Sequence, residues 1–158
     1  MSREEKIYRG LALLRRNQVL TQMLDEAAAD YLGINTTDGR ALDVIDQAGG
    51  RVTAGELARE LRLSTGAVTA ILDRLEQAGY ARRVPDPDDR RRVLIEQTPK
   101  VQKAASQIYG GPEDASAWAD GFSNAELDVL LRFQEQGMAW LEDRLERIEK
   151  LKARAKPR

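Results

Sequence analysis

Cysteine and histidine are both absent from the 158 residues. Their absence excludes disulfides, thiolate or imidazole metal sites, a Cys nucleophile, a Ser-His triad and an imidazole base. Aromatic residues make up only 5% of the chain, so each large flat side chain is a scarce resource. No apolar run approaches the roughly 18 to 20 residues needed to span a bilayer. The opening MSREEKIYRG is charged and lacks the apolar core of a signal peptide, so a cytoplasmic protein without a membrane partner is expected. No acids stand at a convincing catalytic spacing outside solvated helix faces. The expectation is a protein that is not an enzyme and that needs no cofactor or metal.

What the chain does have is charge, unevenly placed. Hydrophobic residues account for 42% and charged residues for 32%, enough for one moderate core under a polar surface. The net charge of −1 is unpromising for a nucleic-acid binder. Distribution matters more than the sum, because between Arg82 and Arg92 five arginines face three aspartates. Many compensating acids lie elsewhere, at Asp25, Glu26, Asp30, Glu113, Asp114 and Asp120. A local basic patch on a neutral body still steers an anionic partner.

The stretch Thr53 to Thr98 organises the rest. Thr53 and Glu56 have capping-box spacing and start a short helix with Leu57, Ala58 and Leu61 inward. The chain turns through Arg62 and Leu63 to a second N-cap, Ser64. Val68, Ile71, Leu72 and Leu75 then mark one face of a second helix. Its other face holds Gly66, Thr69, Ala70, Asp73 and Arg74, small enough to let a partner approach the backbone. Gly79 ends the helix, where positive φ is needed. A β-prone run from Tyr80 to Val84, a turn-rich tip from Pro85 to Asp89 and a second run from Val93 to Ile95 complete a hairpin. Helix, turn, helix and arginine-tipped hairpin make a winged helix-turn-helix, whose second helix enters a DNA major groove. Its wing arginines, Arg90, Arg91 and Arg92, would reach phosphates or a narrow minor groove.

The run ELARELRLSTGAVTAILDRLEQAGYARRVPDPDDRRRVLIEQTPK resembles the multiple antibiotic resistance regulator (MarR) family. The resemblance is most specific at Asp88, Asp89, Arg90 and Arg91, followed by Val93 and Thr98-Pro99. Arg62 stands where the family often has Gly, and Thr65-Gly66 replaces bulkier residues at the start of the recognition helix. The resemblance implies a dimer that binds operator DNA, with one wing arginine in the minor groove and its neighbour paired to an Asp. Arg90 is assigned insertion and Arg91 support, roles that are exchangeable on sequence alone. The expected DNA-binding set is Ser64, Thr65, Gly66, Thr69, Ala70, Asp73, Arg74, Arg90 and Arg91. For Arg74 an intramolecular ion pair is an equal alternative, and Asp73 would orient an arginine or accept from a cytosine amino group. Members of the family often release DNA when a small aromatic or phenolic effector enters between the dimerisation helices and the DNA-binding lobe. Tyr31, Tyr109 and Trp118 are the candidate lining, each with core packing as the plainer alternative. Thiol sensing of oxidants, used by part of the family, is excluded by the absent cysteine.

The flanks read as helices. Residues Ser2 to Leu32 form one long helix with Ile7, Leu11, Leu14, Leu20, Leu24, Ala27 and Tyr31 along a stripe. Thr37 is the expected N-cap of a helix through Ala48, and Arg51-Val52 a short strand beside the wing. Thr98-Pro99 starts a helix to Tyr109 that breaks at Gly110-Gly111-Pro112. A short piece carries Trp118, and a second capping box, Ser123 with Glu126, launches the last helix. Its seam runs through Leu127, Leu130, Leu131 and Gln134 to Met138, Leu141, Leu145 and Ile148, leaving KLKARAKPR as a frayed tail. Two long helices with stripes too large for their own core argue for a homodimer. The expected fold class is mainly α with a small β-hairpin wing, one domain over 1–158. Residues 37–97 form the DNA-binding lobe, flanked by dimerisation helices 2–32 and 98–152. The function implied is a sequence-specific double-stranded DNA-binding regulator, a repressor released by a small molecule. The rival is a winged helix that binds proteins and not DNA, which the near-neutral charge permits and the arginine wing disfavours.

Overall fold

A computed structural model describes residues 1–155, with the backbone alone for Pro112, Ala115, Trp118 and Ala155. The elements run α1 (Arg3–Leu32), α2 (Thr36–Gln47), β1 (Arg51–Thr53), α3 (Ala54–Leu61), α4 (Thr65–Gln77), β2 (Ala81–Pro85), β3 (Val93–Gln97), α5 (Pro99–Tyr109), α6 (Pro112–Ala119) and α7 (Asn124–Ala155). The chain divides into two compact units, Met1–Gly111 and Pro112–Arg158. The expected class, mainly helical with a small winged sheet, is the one observed.

In the first unit, one core holds the helix-turn-helix together. Ala41, Leu42 and Ile45 of α2 meet Leu57 and Leu61 of α3, Val68, Ile71, Leu72 and Leu75 of α4, and Val52 and Ile95 of the sheet. The inward faces expected for α3 and α4 are therefore the buried ones, and they drive the fold by removing apolar surface from water. Thr53 and Glu56 form the expected capping box, with Glu56 N donating to Thr53 Oγ1 at 3.2 Å and Thr53 N donating to Glu56 Oε2 at 2.8 Å. The wing is wider than a hairpin. β1 pairs antiparallel with β3, giving the strand order β1-β3-β2 and placing Val52 opposite Ile95.

Local chemistry moved two boundaries. The cap of α2 is Asn35, two residues before the expected Thr37, because its side-chain oxygen accepts from Asp38 N at 2.9 Å while its amide donates to Asp38 Oδ2. Thr98 occupies the cap position of α5 but makes no side-chain cap; its hydroxyl donates instead to Gly79 O at 2.7 Å. That bond satisfies a carbonyl just past α4 and ties the exit of the wing to the end of the recognition helix.

Much of the stripe of α1 is exposed. Ala28 and Ala29 are buried, yet Ile7, Leu11, Leu14, Leu20 and Leu24 remain 37–53% exposed. In the second unit, Ser123 and Glu126 cap α7 as expected, Glu126 N donating to Ser123 Oγ at 3.4 Å and Ser123 N to Glu126 Oε2 at 2.8 Å. Leu130, Leu131, Met138, Leu141, Leu145 and Ile148 along it are exposed. The helix continues to Ala155, through residues read as a frayed tail, whose last three positions lie outside the described residues.

Candidate nucleic-acid interface

Ser64 Oγ accepts from Ala67 N at 3.3 Å and starts α4. Ser64, Thr65, Gly66, Thr69, Ala70, Asp73 and Arg74 are all exposed, so the small-residue face of α4 is open. Thr69 Oγ1 donates back to Thr65 O at 3.0 Å, so its hydroxyl proton is engaged within the helix. The helix ends in a Schellman motif: Tyr80 N donates to Leu75 O and Gly79 N to Glu76 O, both at 2.9 Å, with Gly79 at φ +74°. The turn before the helix ends the same way. Leu63 N donates to Ala58 O and Arg62 N to Arg59 O, and Arg62 holds the left-handed position at φ +54°. This is the position where a Gly is usual, so the residue that departs from the pattern carries the strain of the turn.

Three arginine clamps fix the presentation of α4 and the wing. Arg74 Nε and Nη2 grip Asp38 of α2 at 2.9 and 2.6 Å, and the carboxylate is only 1% exposed. Arg83 of β2 bridges to Asp73 at 2.9 Å and to Glu76, its own backbone N–H also donating to Glu76 Oε1 at 2.8 Å. Asp73 is thus paired with an arginine of the wing. Glu96 on β3 is flanked by Arg51 and Arg82 from the strands on either side. The Arg82 hydrogen bond above all, and the charges of Arg51 and Arg82, hold the Glu96 carboxyl below the usual range against the opposing effect of burial.

The tip of the wing is built from aspartates. Asp86, buried, accepts from Asp88 N at 2.9 Å; Asp89 Oδ1 accepts from Arg91 N at 2.9 Å. Asp86 N donates to Arg92 O at 3.0 Å and Arg92 N to Asp89 O at 2.9 Å. The arginine that pairs with the wing carboxylate is Arg92, whose Nε lies 3.6 Å from Asp86 Oδ2 and whose Nη2 lies 3.9 Å from Glu56 Oε1. Sequence reasoning had given that support to Arg91. Hairpin register carries the missing signal: with Pro85 opposite Val93, Asp86 falls opposite Arg92. Among the described residues, Arg90 and Arg91 form no ion pair, and both guanidinium groups are exposed.

A cleft of about 270 Å³ opens within the first unit among α1, α2 and α5. Ala29, Leu32, Leu42, Val101, Ala105 and Ile108 give it apolar walls, and Tyr109 lines it with Asp25, Arg40, Asp43 and Asp46. Burial first, and then the neighbouring Asp25 and Asp46 carboxylates, push the Asp43 carboxyl above the usual range, against the pull of Arg40. Burial first, and then the charges of Asp43 and Asp25, raise the Tyr109 phenol. Tyr31 is not part of this lining; its hydroxyl donates to Gln107 Oε1 at 3.0 Å on the surface. The side chain of Trp118 lies outside the described residues.

Comparison with known proteins agrees with this architecture. The family model described as MarR family matches residues 32–92, from the end of α1 to the wing. The chain is 36% identical over 148 residues to the uncharacterized HTH-type transcriptional regulator YcgE of Bacillus subtilis (strain 168), covering 93% of this chain and 96% of that one. It is 33% identical over 97 residues to the multiple antibiotic resistance protein MarR of Salmonella typhimurium, covering 60% of this chain and 67% of that one. The fold is similar to the crystal structure of transcriptional regulator Tm0710 from Thermotoga maritima, with a TM-score of 0.59 at 21% identity, covering 88% of this chain and 98% of that chain. With a full-length relative, a matching family model and a winged helix-turn-helix of the same build, this chain belongs to the MarR family of transcription regulators.

Proposed function

We propose that the protein is a homodimeric repressor that reads a pseudo-palindromic double-stranded operator and is released from it by a small molecule. The observation that carries the reading is the open small-residue face of α4, from Ser64 to Ala70, together with a wing whose exposed Arg90 and Arg91 guanidinium groups form no ion pair among the described residues. Ser64, Thr65, Gly66, Thr69 and Ala70 would approach the major groove, with the N-terminal N–H groups of α4 available to a phosphate. Arg90 would enter the minor groove, Arg91 would contact the backbone, and Arg92 would hold the tip through Asp86. Asp73 and Arg74 would position rather than read, since each already grips a partner on another element. Acting on DNA, the protein would work in the cytoplasm.

Dimerisation is supported by the exposed apolar stripes of α1 and α7, which a second copy would cover. On this reading, residues 2–32 and 98–152 join the dimer and 37–97 form each DNA-binding lobe. Twofold symmetry would then place the two α4 helices in successive major grooves, about 34 to 36 Å apart. The effector would occupy the α1/α2/α5 cleft. α2 lines that cleft with Gly39, Asp43 and Asp46 and on another face holds Arg74 of α4 through Asp38, so a ligand that shifts α2 shifts the reading helix.

Selection of bound fragments from the host genome by the purified protein, followed by footprinting at two salt concentrations, tests the reading. A twofold-symmetric site with half-sites one helical turn apart is expected. Recovery of no enriched site would reject it in favour of a winged helix that binds another protein.

A further inference from the structure

The acids of the DNA-binding lobe are almost all spoken for. Asp38 has Arg74, Asp86 has Arg92, Glu96 has Arg51 and Arg82, and Asp73 and Glu76 share Arg83. The cleft among α1, α2 and α5 is built differently. Asp25 on α1 and Asp43 and Asp46, one turn apart on α2, line it, and among the described residues none of the three side-chain carboxylates accepts a hydrogen bond or forms a salt bridge. Among the described residues of the lining, Arg40 is the one cation, against three carboxylates. The rest of the wall is apolar or neutral, with Ala29, Leu32, Val101 and Ile108 offering a surface for a hydrophobic body. No group of three such ligands among the described residues is close enough to hold a metal ion, so the acids are spread around a space and do not converge on a point.

We propose that this cleft takes a small lipophilic monocation, an aromatic or alicyclic amine or amidinium, whose charge rests among Asp25, Asp43 and Asp46 while its apolar body packs on Leu32, Val101 and Ile108. The proposal rests on the reading of the cleft as the effector site and gives that site its ligand class. Two features favour a cation over the phenolate or carboxylate that an aromatic effector often carries, and the volume sets its size. The carboxylates already repel one another, as the upward push on Asp43 records, and a cation relieves what an anion would worsen. Tyr109 keeps its proton, so the aromatic wall is a neutral ring with a face suited to an ammonium group. The volume, about 270 Å³, is at the small end for ligand pockets, which limits the guest to one or two fused rings.

The test uses three probes of one shape and different charge: 2-naphthylmethylammonium, 2-naphthylmethanol and 2-naphthoate, each titrated calorimetrically into the full chain. The ammonium is expected to bind about tenfold tighter than the alcohol, and the carboxylate most weakly. Asp43→Asn should narrow the gap between the ammonium and the alcohol while leaving the alcohol unchanged. Arg40→Gln should tighten the ammonium, a gain that a damaged fold cannot produce. Filling the cleft with Ala105→Phe should abolish all binding, which separates the cleft from the acidic surface at large. Equal affinity of ammonium and alcohol, or tightest binding of the carboxylate, overturns the charge inference and leaves the cleft as a ligand site. Binding of none of the three by the folded protein overturns the cleft reading itself.

Discussion

Arg74 on the recognition helix and Asp38 on α2 form a two-pronged ion pair, Nε to Oδ2 at 2.9 Å and Nη2 to Oδ1 at 2.6 Å. The carboxylate is buried and the guanidinium half exposed, so the arginine serves as the polar lid over a charge that the core could not otherwise contain. Asn35, the cap of α2, donates to the same carboxylate. The start of α2 and the last turn of α4 are thereby fixed to each other by these side chains.

Replacing Arg74 by Ala is expected to destabilise the fold by roughly 1.5 to 3 kcal/mol, since a buried acceptor loses its charged donor. In urea denaturation the Asp38→Ala, Arg74→Ala double variant should lose less than the sum of the singles. Simple additivity would show that the two groups do not act as a pair.

Arg90 and Arg92 should fail in different ways. Arg90→Ala is expected to weaken operator binding by about 1 to 3 kcal/mol and to reduce the salt slope by about one. Arg92→Ala removes the Asp86 contact inside the wing, so affinity should fall while the slope stays near that of the parent. Fluorescence anisotropy across a salt series distinguishes the two, and equal slopes for both variants would cancel the division of roles.

Arg62 has left-handed backbone without being glycine. Such a conformation costs a non-glycine residue about 1 to 2 kcal/mol, while glycine brings back roughly 0.4 to 1 kcal/mol of unfolded-state entropy. Arg62→Gly should therefore stabilise the protein by about 0.5 to 1 kcal/mol. A guanidinium midpoint that does not rise would mean that the arginine side chain offsets the strain.

Acid should loosen the sheet through Glu96. Its carboxyl is lower in the folded protein than in the unfolded chain, chiefly because Arg82 hydrogen-bonds the charged form. The unfolded state thus takes up the proton first. The stabilisation is complete above the ordinary glutamate value of about 4.3 and is lost as pH falls through the lower folded value. Thermal melts from about pH 7 to 3 should show a shallower fall for Glu96→Gln than for the parent below that value. Parallel curves would remove Glu96 from the account.

Much of this molecule is written in local pattern. Hydrophobic spacing placed α3 and α4 and named their buried residues, and the Thr53 and Ser123 boxes marked two helix starts, because caps and periodicity depend on neighbours within one turn. The arginine-tipped hairpin and the small-residue face of α4 were legible for the same reason. The cap of α2 was misplaced by two residues because Asn35 and Thr37 are both competent caps, and only the contact of Asn35 with buried Asp38 selects one.

Charge partners were decided by the tertiary structure. Which wing arginine meets the aspartate depends on a register that pairs Pro85 with Val93, and a one-residue slip exchanges the faces. Arg74 is 36 residues from Asp38, and Tyr31 and Tyr109 differ in surroundings although both are tyrosines on flanking helices. The sequence alone determined the winged helix-turn-helix and the surfaces it offers. The fold alone decided which charges neutralise one another and which stay free, because electrostatic pairing depends on separation in space, which the core sets and the order of residues does not.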